Sequence, residues 1–103
     1  MHKVTILFPT KYNDGKSIPL DTIDVCLQQI LAVEGGYTSH RVHGAYTMAN
    51  GSVAYDELLS IIAFVPFTSQ VDTLRNQARV FAKLLRQECI YFEVSEVEVQ
   101  FVN

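Results

Sequence analysis

Residues 37–65, YTSHRVHGAYTMANGSVAYDELLSIIAFV, decide the fold of this 103-residue chain. Asn50-Gly51 is its strongest short hairpin signal, because both residue types accept the left-handed backbone of a tight turn. Residues 37–48 and 52–65 read as the two strands that this turn joins. The second finishes in Leu58-Leu59-Ser60-Ile61-Ile62-Ala63-Phe64-Val65, apolar on both sides. A strand of that kind belongs in the middle of a sheet, with material above and below it. Pro66 ends it.

A two-residue turn pairs Tyr46 with Tyr55, His43 with Leu58 and Tyr37 with Phe64. One face then carries Tyr37, Ser39, Arg41, His43 and Ala45 with Asp56, Leu58, Ser60, Ile62 and Phe64. The other carries His40, Val42, Gly44, Tyr46 and Met48 with Val53, Tyr55, Glu57, Leu59, Ile61 and Ala63. The second face is assigned to the helices. A three-residue turn exchanges the faces, since side chains alternate along a strand.

Residues 3–8 form another strand, with Val4, Ile6 and Phe8 on one side and Thr5 and Leu7 on the other. Asp14-Gly15 marks a turn in the polar loop that follows. From Pro19 the apolar spacing changes to threes and fours: Leu20, Ile23, Leu27, Ile30 and Leu31 make one helical stripe, closed by Gly35-Gly36. A second helix begins near Ser69, where Ser69-Gln70-Val71-Asp72 resembles a capping box, and its stripe is Val71, Leu74, Ala78, Phe81 and Leu85. The segment 89–102 alternates but slips phase near Ser95-Glu96, which predicts a β-bulge in preference to a strand that bends and changes neighbour.

The order β-α-β-β-α-β predicts one domain over residues 1–103. It is an α+β, ferredoxin-like sandwich, a four-stranded antiparallel sheet with two helices on one face. Right-handed crossovers place the first and third strands in the centre. A two-layer sandwich leaves its second face bare. With Ile62, Phe64 and Tyr37 there, a homo-oligomer packed through that face is expected.

Composition narrows the function classes. The chain is 49% hydrophobic and 18% charged with a formal charge of −3, so it folds and has no electrostatic drive toward nucleic acid or an anionic membrane. No apolar run reaches the roughly 20 residues of a spanning helix, and the first residues lack a signal-peptide core. A cytoplasmic location is expected. Cys26 and Cys89 form no Cys-x-x-Cys pair and read as free thiols. His40 and His43 point to opposite faces of a strand, and Glu93, Glu96 and Glu98 guard an edge strand; no metal site is expected.

Candidate chemistry rests on few residues. His43 and Asp56 are diagonal neighbours in this register, with Arg41 close by; a histidine oriented by a carboxylate can act as a general base, and the arginine can hold an anion. Tyr37, Tyr46 and Tyr55 are candidate ligand-binding residues. No Walker loop, Rossmann glycine pattern, nucleophile elbow or His-Glu-x-x-His is present.

The Asp14-Gly15-Lys16 turn, Gly36-Tyr37-Thr38, Gly44-Ala45-Tyr46, Arg86-Gln87-Glu88-Cys89-Ile90 and the closing Val97-Glu98-Val99-Gln100-Phe101 lie in a familiar order. In these pieces the chain resembles a bacterial family of small, uncharacterised ferredoxin-like α+β domains. Members commonly carry tryptophan and arginine where this chain has Tyr46 and Thr47. The resemblance implies the architecture and brings no activity, cofactor or catalytic residue. The first functional expectation is therefore a small homo-oligomeric, non-enzymatic module that binds a partner protein or small ligand at the oligomer cleft. The alternative is a small cofactor-free or haem-using enzyme of the dimeric α+β barrel type, using His43, Asp56 and Arg41.

Overall fold

Val4, Ile6 and Phe8 are almost completely buried, which makes the first strand, β1 (His2–Pro9), the spine of the sheet. The computed structural model describes residues 1–103. It adds helix α1 (Leu20–Glu34), strands β2 (Thr38–Thr47) and β3 (Val53–Val65), helix α2 (Thr68–Leu84) and strand β4 (Tyr91–Glu96). The strands run antiparallel in the order β2-β3-β1-β4. The chain thus has the ferredoxin-like α+β fold, with β1 and β3 central.

Both helices pack on the side of the sheet that carries Val4, Ile6, Phe8, Ile61, Ala63 and Val65. Phe8 meets Phe81 of α2 edge to face, with centroids 5.6 Å apart. Helix α1 buries Ile23, Cys26 and Ile30, whereas Leu20 and Leu31 are exposed. The stripe is therefore rotated toward Cys26 relative to the one read from leucine and isoleucine spacing. Gly35 closes α1 at φ +78°, its N–H donating to the Leu31 carbonyl. At the start of α2, the Gln70 side chain accepts from the Phe67 N–H at 3.1 Å. The N-cap is thus Phe67, two residues before the Ser69 signal.

Two expectations about the strands are corrected. The hairpin loop holds three residues, Ala49-Asn50-Gly51. Met48 N–H donates to the Ser52 carbonyl at 2.7 Å, the Asn50 side chain accepts from Ser52 N–H, and Gly51 takes φ +87°. Side-chain capping by Asn50 adds a residue to the turn and, with it, shifts the register by one. Tyr46 stands opposite Ala54, His43 opposite Glu57 and Gly44 opposite Asp56. The β3 half of the helix-facing set stands, but the β2 half is exchanged. Ser39, Arg41, His43 and Ala45 share the helix side with Leu59 and Ile61, and His40, Val42 and Tyr46 join Asp56, Leu58, Ile62 and Phe64 on the bare face.

The last strand is also shorter than the alternation suggests. It ends at Glu96, opposite His2, and the final ladder bond runs from Val97 N–H to the Met1 carbonyl at 3.0 Å. No bulge forms at Ser95-Glu96. The phase slip marks where the chain leaves the sheet, and residues 97–103 continue outside it.

Candidate functional site

The hairpin is longer than its neighbours. β1 pairs with β3 only as far as Pro9 opposite Leu58, while the β2–β3 ladder continues to Thr47 opposite Val53. The part beyond Leu58 is a two-stranded arm with no strand on the β1 side. Past this point the chain of β1 turns away from β3 into the loop that begins at Thr10. Thr10 still reaches across, its hydroxyl donating to the Glu57 carbonyl at 2.8 Å.

Residues 11–17 then fold into a small turn of their own. Tyr12 N–H donates to the Lys16 carbonyl at 2.8 Å, and Gly15 N–H to the Tyr12 carbonyl at 2.9 Å. Gly15 adopts φ +86°, a conformation that costs glycine nothing. The Asp14 carboxylate locks the turn by accepting from Lys16 N–H. On the other flank β4 begins only at Tyr91, opposite Leu7. The vacated space in line with β1 is a cleft of about 490 Å³.

Four of the chain's five tyrosines line this cleft: Tyr12, Tyr46, Tyr55 and Tyr91, joined by Lys11, Asp56 and Glu57. Tyr46 and Tyr55 extend from opposite faces of the arm, yet both reach the cleft because it wraps the arm's free edge. The Arg86 guanidinium lies 4.7 Å from the Tyr12 ring centroid, a cation–π contact that fixes the ring from behind. Arg86 itself has φ 55° at the end of α2, where Gln87 N–H donates back to the Ala82 carbonyl at 2.8 Å. Tyr91 donates its hydroxyl to Glu93 Oε2 at 2.8 Å. That bond and the carboxylate charge raise its pKa above the usual phenol value.

The residues singled out from the sequence are distributed differently. His43 and Arg41 are on the helix side of β2, whereas Asp56 is on the bare face of β3, so one chain does not assemble the His43–Asp56–Arg41 group. Glu57 takes the expected place of Asp56. It faces His43 across the ladder, and its Oε1 accepts from Arg41 Nη1 at 3.3 Å. His43 is exposed and does not line the cleft. Tyr37 packs against the core beside a separate shallow hollow, away from Tyr46 and Tyr55.

Tyr12, Tyr91 and Arg86 escaped the sequence reading. They come from a loop, a strand start and a helix end, and no spacing rule links such positions. No group of three or more His, Cys, Asp or Glu side chains converges. Cys26 is buried, and burial pushes its thiol up to about 11, which leaves it protonated and inert at neutral pH. Cys89 is exposed at the cleft rim. No helix is long and apolar enough to cross a membrane.

No family model matches the sequence, and no curated protein matches it. Solved structures do share the fold. A phage SAM lyase in complex with S-methyl-5′-thioadenosine superposes with a TM-score of 0.62 at 15% identity, covering 92% of this chain and 80% of that one. The periplasmic divalent cation tolerance protein CutA of Archaeoglobus fulgidus gives 0.68 at 10% identity, covering 98% and 88%. A PII-like CutA from Nostoc gives 0.60 at 16% identity, covering 95% and 82%. These are small α+β domains, and at such identities the likeness is one of fold.

Proposed function

We propose that the protein is a self-associating, non-enzymatic module that holds a small aromatic ligand of the nucleoside class in the cleft beside its hairpin arm. The observation that carries this reading is the gathering of four tyrosines and two carboxylates around about 490 Å³, a size in the range of small-molecule sites. Tyrosine rings offer flat apolar surface for stacking on a base. The Asp56 and Glu57 carboxylates are acceptors suited to sugar hydroxyls. The ligand printed for the phage SAM lyase, S-methyl-5′-thioadenosine, belongs to the same chemical class.

Self-association is supported by the bare sheet face. Leu7, Val42, Leu58 and Ile62 are only half-buried there, and Phe64 is 47% exposed. A contiguous apolar area of that kind is unusual on a monomer. The occupant that suits it is a second copy.

The test is isothermal titration with adenosine, S-methyl-5′-thioadenosine and adenosine monophosphate, on the wild type and on Tyr12→Ala and Tyr91→Ala. Binding of at least one nucleoside, weakened tenfold or more by either substitution, is expected. Absence of heat with all three at millimolar concentration, or wild-type affinity in both variants, overturns the reading.

A further inference from the structure

We infer that the C-terminal segment 97–102 of one copy adds as a strand to the free edge of the hairpin arm of another, at the cleft. This inference rests on the self-association proposed above and names a second contact, at the arm edge, on which it depends.

The acceptor edge is defined by hydrogen bonds. Met48 N–H reaches the Ser52 carbonyl across the hairpin, so Ser52, Ala54 and Asp56 turn their main-chain groups toward β2. Val53, Tyr55 and Glu57 must then turn theirs the other way, because N–H and C=O directions alternate along an antiparallel strand. The Glu57 carbonyl confirms this phase, since it accepts the Thr10 hydroxyl on the β1 side. Beyond it, the N–H and C=O groups of Val53 and Tyr55 face an edge with no strand. Such an edge is a template for another chain.

The donor has the matching pattern. Val97, Val99 and Phe101 alternate with Glu98 and Gln100, which is the sequence of a half-buried strand. Yet past Val97, whose N–H closes the β4 ladder on the Met1 carbonyl, residues 98–103 have no ladder partner, and Phe101 is 96% and Val102 85% exposed. An alternating apolar segment spends its side chains in water only while its partner is missing. Lys11 at the cleft offers a cation for Glu98.

Geometry then excludes pairing within one chain. The arm projects past Pro9 at one end of β1, and the tail departs past His2 at the other end. The molecule is accordingly elongated, with extents of 47 × 27 × 25 Å. Tail and arm meet only between copies, in a heterologous contact. The neighbour's Val99 and Phe101 then border the tyrosine cleft, so that two copies furnish each binding site.

Complementation tests this. Two variants are made: a chain ending at Glu96, and a full-length Val53→Pro chain, whose proline removes one edge N–H at the first position of β3, where proline is tolerated. Phe101→Asp, at a side chain with no contact to lose in the single chain, is a third variant that leaves folding untouched. Light scattering should give a multiple of 11.6 kDa for the wild type and the monomer mass for each variant. An equimolar mixture of the truncated and Val53→Pro chains should form a 1:1 heterodimer and no larger species, because only one donor and one acceptor remain. A truncated chain or a Phe101→Asp chain that keeps the wild-type mass overturns strand addition while leaving self-association through the bare face intact. So does a mixture that stays monomeric with both chains folded by circular dichroism. A monomeric wild type at tens of micromolar overturns both.

Discussion

His43 stands directly across the β2–β3 ladder from Glu57, and the same carboxylate accepts a hydrogen bond from Arg41. The three side chains sit at the root of the arm, and the Arg41 side chain is 75% exposed there. An ion pair in that setting is screened by water and contributes about 0–1 kcal/mol. Glu57→Gln should therefore lower the unfolding free energy from urea titration by less than about 1 kcal/mol. A loss several times larger would mean that the arm is buried against something in solution.

Arg86 occupies the left-handed region at the end of α2, a position that glycine usually fills. Any side chain there costs roughly 1 kcal/mol, and Arg86 offsets the cost by stacking on Tyr12. Arg86→Ala keeps the strain and loses the stack. Arg86→Gly loses both, so it should be more stable than Arg86→Ala by about 1 kcal/mol in urea unfolding. Equal midpoints for the two variants would show that the backbone there is relaxed.

Phe81 has no exposed surface and packs edge to face on Phe8. It is the largest fully buried side chain of α2. Phe81→Ala should cost about 3–5 kcal/mol, read from chemical denaturation, and Phe81→Leu distinctly less. A small loss in Phe81→Ala would place the core elsewhere.

Both carboxylate oxygens of Glu34 are buried without a hydrogen-bond partner, at the end of α1 where the helix dipole is negative. Burial raises its pKa above the usual carboxylate value. The native state therefore holds the proton more tightly than the unfolded chain. This contribution to stability is complete below the unfolded pKa and is lost as pH rises through the raised native one. Glu34→Gln removes the charge, so its melting temperature should exceed that of the wild type at pH 7, with the gap closing toward pH 4. A gap that stays constant with pH would mean that Glu34 is solvated.

The legible parts of the fold were those written in long periods. The apolar runs of β1 and β3, the three-and-four spacing of α2 and the glycine after α1 each fix an element without knowledge of its neighbours. The hairpin was legible as well, but its register hung on one residue. Asn50-Gly51 suits both a two-residue and a three-residue loop, and only the Asn50 bond to Ser52 decides between them. One added residue moved His43 to the helix side and left Asp56 on the other, which dispersed the candidate catalytic group. Of the tyrosine cleft, Tyr46 and Tyr55 were legible as candidates, but the cleft itself and its other wall were not. It exists because β1 and β4 stop short of the hairpin, and a missing stretch of strand leaves no periodic signal.

Under the proposed strand addition, a subunit with a donor at one pole and an acceptor at the other is a repeat unit with no built-in stop. Every copy that joins offers a new acceptor, and growth ends only when the first and last members meet. The curvature of such a row is set by the rotation that relates one copy to the next. Small changes in that curvature thus govern whether such a chain yields a finite particle or an indefinite fibre.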